Sequence, residues 1–141
     1  MSARRVNGRQ IDEPLDVDVR ILRRIPPRGV HPSDPTDRPQ SWRFAPKKGE
    51  DGLSVDIWEN GNSPEDTIKR ADKGLPPGEE YGIVYLTVGD VRGVDLEVVR
   101  DPQPDNPFHA LIKGKFTRSK RKKLSAKSSR GWIKKPNPEH I

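Results

Sequence analysis

Apolar and polar residues alternate in two short stretches of this chain, and a third stretch is apolar almost throughout. Leu15, Val17, Val19 and Ile21 alternate with Asp16, Asp18 and Arg20, the two-residue period of a strand with one buried face. Pro26 and Pro27 bound this strand, because neither can donate to a ladder and both fix φ. Leu53, Val55 and Ile57 alternate with Ser54 and Asp56 and predict a second strand. The run from Gly82 to Val88 is the most apolar of the chain and predicts the central strand of a sheet. Leu96, Val98 and Val99 predict another, ended by Asp101-Pro102, and Phe108 to Lys113 predicts the last.

Helix signals lie between these runs. In Ser63-Pro64-Glu65-Asp66 the serine can accept from a first-turn N–H, proline suits the first helical position, and two acids complement the dipole. This helix is expected to run to about Lys73, with Gly74 ending it. The segment Gly89 to Gly93 has room for a single helical turn. Thr117 is a candidate cap for a basic helix from Arg118 to Ser129. Its apolar content is little more than Leu124 and Ala126, too little to hold it by its own face. Trp132 and Ile133, just beyond, are placed to clamp it to the body. Strands mixed with short helices, without a repeating βαβ rhythm, predict an α+β fold: a small, mostly antiparallel or mixed sheet with two short helices, Pro-rich loops and a basic C-terminal segment. The expected organisation is a flexible arm over 1–14, a single α+β domain over 15–116, and a basic helix and tail over 117–141 docked on that domain. The Pro-rich stretch from Pro26 to Pro46 reads as irregular, with Trp42 and Phe44 packing on the core.

Composition narrows the function classes. Of 141 residues, 30% are hydrophobic and 34% charged, so the core is modest; 15 prolines and 12 glycines imply much irregular backbone. There is no cysteine, which excludes disulfides, thiol catalysis and thiolate metal sites. The N-terminal stretch is basic and lacks the apolar core of a signal peptide, and no run approaches the ~18 apolar residues of a membrane span. A soluble, cytoplasmic protein is the expectation.

Charge changes the picture most. Residues 1–49 carry eleven bases against six acids, residues 50–106 five against fourteen, and residues 107–141 eleven against one. The last block contains Lys113, Lys115, Arg118, Lys120, Arg121, Lys122, Lys123, Lys127, Arg130, Lys134 and Lys135. Segregation of this kind points to an anionic partner. On a helix, Arg118, Arg121 and Lys122 share one side and Lys120, Lys123 and Lys127 another. Such a helix suits contact with a phosphate backbone more than the reading of base edges. Lys113 to Lys127, with Arg130, are therefore candidate nucleic-acid contacts, and Trp132 is a candidate stacking platform for an unpaired base. No helix-turn-helix, zinc-finger or RNP pattern accompanies them. The partner is DNA or RNA on this reading. An acidic protein surface, including the chain's own acidic block, is the alternative, and with it a structural or interaction subunit that docks by charge complementarity. A membrane surface is not expected, because the segment lacks an apolar face.

Catalytic signals are sparser. His31, His109 and His140 have no metal-ligand spacing, so no metal is expected. Neither GxGxxG nor GxxxxGK[ST] occurs, and no cofactor is expected. His109, at the junction of a Pro-rich loop and a strand, is the candidate catalytic residue, with Ser54 or Thr87 as partner. Arg23, Arg24 or Arg43 would bind an anionic substrate. That combination describes a transferase or hydrolase acting on a nucleotide or phosphorylated substrate, and it requires a concave pocket in which His109 meets those arginines. The bland reading is a histidine hydrogen-bonded at a strand start. The acid pairs Glu65-Asp66, Glu79-Glu80 and Asp16 with Asp18 have ordinary roles at a helix start, in a loop and on a strand's solvent face.

Overall fold

Leu53, Val55 and Ile57 are buried on one side of their strand, while Ser54 and Asp56 lie on the other. Around that strand the chain builds an antiparallel sheet. The computed structural model describes residues 5–6, 9–10, 14–26, 39–46, 48–70, 79–128 and 130–136. Two-residue strands β1 (Arg5–Val6) and β2 (Arg9–Gln10) pair with each other. Then follow β3 (Arg20–Ile25), β4 (Leu53–Trp58), β5 (Gly82–Thr87), β6 (Glu97–Arg100), β7 (His109–Lys113) and β8 (Trp132–Lys134). These six form one sheet in the order β6-β7-β4-β3-β5-β8, with every pairing antiparallel. Helices α1 (Pro64–Arg70), α2 (Val88–Arg92) and α3 (Arg118–Ser128) complete an α+β fold, with a 3-10 turn at Ser41–Phe44.

Several expectations shift. The alternation at Leu15–Ile21 is not the strand; β3 begins at Arg20. The carbonyls of Val17 and Val19 instead accept from Gly89 and Val88 N–H at the start of α2, both at 2.8 Å, and Val17 is 59% exposed. The carbonyl of Leu15 accepts from Arg92 Nη2 at 2.6 Å. Helix α2, five residues long, is the single turn expected near Gly89 to Gly93; counted with it, the described residues hold three helices, two of them of seven residues or more. The α2 cap is reciprocal: Asp90 N–H donates to Thr87 Oγ1 and Thr87 N–H to Asp90 Oδ2, each at 3.0 Å. The apolar β5 is next to the edge, not central, and β7 is followed by β8. The centre belongs to β4 and to arginine-rich β3, whose guanidinium groups reach past the sheet. Arg20 lies over the Trp58 ring at 3.8 Å, and Arg24 Nη1 donates to the Thr67 carbonyl at 2.9 Å.

Helix α1 starts as its sequence predicts. Asp66 N–H donates to Ser63 Oγ, and Ser63 N–H returns a bond to Asp66 Oδ2. The serine's hydroxyl and backbone N–H hold the Asp66 carboxyl below its ordinary value of 3.8. The expected continuation to Lys73 and Gly74 lies outside the described residues. In α3, Thr117 Oγ1 accepts from Lys120 N–H at 3.2 Å. The helix is held by one fully buried leucine, Leu124, with Ser125 and Ser128 also buried. Ser125 Oγ donates to the Pro39 carbonyl, which ties α3 to the segment that leads into the 3-10 turn. Phe44 on that turn is fully buried; the Trp42 side chain lies outside the described residues.

The main core unites Ile21, Ile25, Phe44, Val55, Ile57, Val84, Leu86, Val91, Ile112 and Leu124, among others. The alternation along β3, β4 and β5 puts this cluster on the face covered by α2 and α3. Asp56, Leu22 and Ile83 fall on the opposite face, beneath α1. Gly131 joins α3 to β8: Tyr85 N–H donates to its carbonyl at 3.0 Å, and a Cβ there would fall on the Tyr85 carbonyl oxygen. Only glycine allows β8 so close to β5.

Candidate functional site

Two regions carry the candidate residues. The first is a cleft of about 330 Å³ between the ends of β3, β4 and β7. Its lining includes Arg23, Arg24, Arg43, Ser54, Asp56 and His109, with Glu50, Thr67, Tyr81 and Asn106 beside them. The sheet register explains the gathering. Asp56 pairs with His109 and Ser54 with Leu111, so Ser54 and His109 are diagonal neighbours on one face of adjacent strands. His109 Nε2 is 3.2 Å from Ser54 Oγ. The β6–β7 hairpin then places Asp101 against the other ring nitrogen. His109 Nδ1 is 3.0 Å from both the Asp101 carbonyl oxygen and Asp101 Oδ2.

Those two contacts settle the tautomer of the neutral ring. Both groups at Nδ1 are acceptors, so Nδ1 carries the hydrogen and donates. The lone pair is then on Nε2, where the Ser54 hydroxyl donates. Aspartate, histidine and serine thus form a directed chain that ends at a hydroxyl on the cleft wall. Thr87, the other partner considered for His109, is the cap of α2 and does not line the cleft.

Asp56 holds the loop that delivers His109. Its Oδ1 accepts from Asn106 Nδ2 at 2.9 Å, and its Oδ2 accepts from Thr67 Oγ1 at 2.8 Å and Arg70 Nη2 at 3.0 Å. Asn106 Oδ1 in turn accepts from Phe108 N–H, and Ile57 N–H donates to the Phe108 carbonyl. Asn62 joins this network through Thr67 Oγ1 and is hydrogen-bonded by Arg70. With 4% of its surface exposed, Asp56 is a satisfied buried charge rather than an open acid.

The arginines behave differently. Arg23 Nη1 donates to the Ser54 carbonyl at 2.7 Å, and Nε and Nη2 donate to the Arg43 carbonyl at 3.2 and 2.8 Å. Among the described residues no acid forms an ion pair with it. Burial is the main cause that lowers its pKa to about 10, with Arg24 and Arg43 adding repulsion and Glu50 opposing. Arg23 is still charged at neutral pH, held by carbonyl oxygens behind the cleft wall with Glu50 offsetting part of its charge. Burial also lowers the pKa of Arg43 from its ordinary value, while Tyr81 acts to raise it.

The second region is the outward side of α3. Arg118, Ser119, Lys122, Lys123 and Ala126 line a shallow surface. Arg118, Lys122 and Lys123 are exposed, and none makes an ion pair among the described residues. The same holds for Lys115 and Arg130. Other cations of the basic block pair at the surface with acids of the middle of the chain. Lys113 pairs with Asp51 at 3.9 Å, Lys127 with Asp90 at 3.7 Å, and Lys134 with Glu80. Lys120 Nζ is 3.5 Å from the Asp95 carbonyl, and Arg121 Nε donates to the Thr117 carbonyl at 3.4 Å. Trp132 sits in β8 opposite Val84 and packs, half-buried, against the core cluster. It does not line the α3 surface.

Asp101, which contacts His109 without lining the cleft, is the residue that strand reading alone leaves out. Its signal is the hairpin: Arg100 pairs with Ala110, so the next residue outward faces His109. Among the described residues no group of three or more His, Cys, Asp or Glu side chains could hold a metal ion, and no helix is long and apolar enough to cross a membrane. His31 and His140 lie outside the described residues. Comparison with family models, with curated proteins and with solved structures returns no match for this chain.

Proposed function

We propose that this protein binds nucleic acid through its phosphates along the outward side of α3, with little dependence on sequence. One observation supports the reading above the others: Arg118, Lys122 and Lys123 are exposed together and make no ion pair among the described residues. Arg118 and Lys122, one turn apart, are separated by about 6 Å along the axis, and Lys115 and Arg130 add positive charge at either end of the helix. Exposed ion pairs such as Lys113–Asp51 contribute only about 0–1 kcal/mol. Leu124, fully buried, contributes about 2 kcal/mol by removal from water. The helix is therefore held by packing, and its outer cations are not needed to dock it.

The test is fluorescence anisotropy with labelled single- and double-stranded DNA and RNA, from ~50 to ~200 mM salt. Binding should weaken steeply with salt. Replacing Arg118, Lys122 and Lys123 together by alanine should weaken binding on every sequence and flatten the logarithmic salt slope by about 3. Unchanged affinity in that variant removes α3 from the interface. Absence of binding at the lowest salt would favour the alternative, an interaction subunit that docks on an acidic protein surface.

A further inference from the structure

Polyanion binding by α3 makes no use of the cleft between β3, β4 and β7, where Ser54 and His109 lie on a wall shared with Arg23, Arg24 and Arg43 and Asp101 contacts the far side of the imidazole. We propose that this cleft hydrolyses a small phosphate monoester, with Ser54 as nucleophile, His109 as general base and Asp101 as the residue that positions the base. This goes beyond the reading given for α3 and does not depend on it.

Each part has a geometric warrant. Asp101 holds the His109 tautomer whose Nε2 lone pair faces the Ser54 hydroxyl, at 3.2 Å. That is the arrangement by which an imidazole removes a proton from an attacking hydroxyl. The choice of phosphoryl rather than acyl chemistry follows from the surroundings. Ser54 lies within a strand, not at the sharp strand-to-helix turn that presents backbone N–H groups to an acyl oxyanion. Positive charge is what the cleft offers instead. Phosphoryl transfer is catalysed chiefly by positioning and by cations around the equatorial oxygens, and guanidinium forks match those oxygens well. Of the two acids in the lining, Asp56 is already bound by Arg70, Thr67 and Asn106, while Glu50, exposed at the rim, offsets part of the charge of the arginines.

The reaction balances with water as the only co-reactant. Ser54 Oγ attacks phosphorus while its proton passes to His109 Nε2. The Oγ–P bond forms, the ester P–O bond breaks, and the departing alcohol takes the proton from His109. Water then attacks the phosphoserine and gives a proton to His109. The P–Oγ bond breaks, Ser54 recovers the proton, and inorganic phosphate leaves.

The experiment uses the full chain with p-nitrophenyl phosphate, following nitrophenolate release and, after acid quench, phosphate on Ser54 by mass spectrometry. Turnover above the uncatalysed rate is expected, together with a modified Ser54. Ser54→Ala should abolish both. Asp101→Asn should lower kcat by about 10²-fold or more with KM little changed. Asp101 is 41% exposed, so this variant is expected to keep the melting temperature of the parent. Arg43→Ala should raise KM. No turnover by the folded parent protein overturns the proposal, as does Asp101→Asn working at the parent rate. Nucleic-acid binding that persists without turnover would sink this inference alone.

Discussion

The Asp56 network and the outward side of α3 use the same charged side chains under opposite conditions. Around Asp56, the carboxylate is covered and each of its oxygens has a named donor. Along α3, Arg118, Lys122 and Lys123 stand in solvent and make no ion pair among the described residues. Burial makes partners obligatory, because an unpaired charge out of water is far more expensive than the pair. Exposure makes partners optional, so charge left open there is available to a ligand. The first region is held by its charges, whereas the second is held in spite of them.

Removing one partner from the buried network should have the largest effect. Asp56→Ala removes the carboxylate that accepts from Thr67 and Asn106 and leaves Arg70 only its bonds to Asn62 and Thr67, and should lose about 3–5 kcal/mol of stability. Urea unfolding measures it. Leu124→Ala comes next, at about 2–4 kcal/mol, and should loosen α3 without changing its net charge; faster amide exchange within 118–128 would report this. If the triple Arg118, Lys122, Lys123→Ala variant unfolds within about 0.5 kcal/mol of the parent, the contrast between the two regions holds. A loss comparable to that of Asp56→Ala would erase it.

The smallest expected effect is at the start of α1. The folded pKa of Asp66 lies below its ordinary 3.8, so the carboxylate stabilises the fold above that pH. Its contribution fades as pH falls through the depressed folded value. The stability difference between the parent and Asp66→Ala should therefore be constant near neutrality and narrow below pH 3.8. A difference that stays fixed into acid would place the cap's value in the serine alone.

Much of the framework was legible because local patterns carry it. The alternation in β4, the apolar run of β5, the Ser63-Pro64 start and the Thr117 cap each depend on residues within one element. What escaped depends on pairing at a distance. Leu15 to Ile21 alternates as a strand should, yet α2 draws on its carbonyls and the strand slides to Arg20–Ile25. β8 has three residues, too few for a period. In the cleft, His109 and the arginines were visible as residue types. The contact of His109 with Ser54, 55 positions away, required the β4–β7 register. Asp101 required the hairpin.

The pairing of β8 along β5 has a consequence for solubility. An uncovered strand edge offers its backbone N–H and carbonyl groups to any other chain, and β5, with Ile83, Val84, Tyr85 and Leu86, would be a sticky template. The chain covers that edge with three residues and then two features that discourage further pairing: the lysines Lys134 and Lys135, and Pro136, which has no N–H to give. Part of the basic block thus serves as a guard on the sheet rather than as a hand extended to a partner. A chain cut before Gly131 would keep α3 and every residue of the cleft, and would be expected to aggregate through β5.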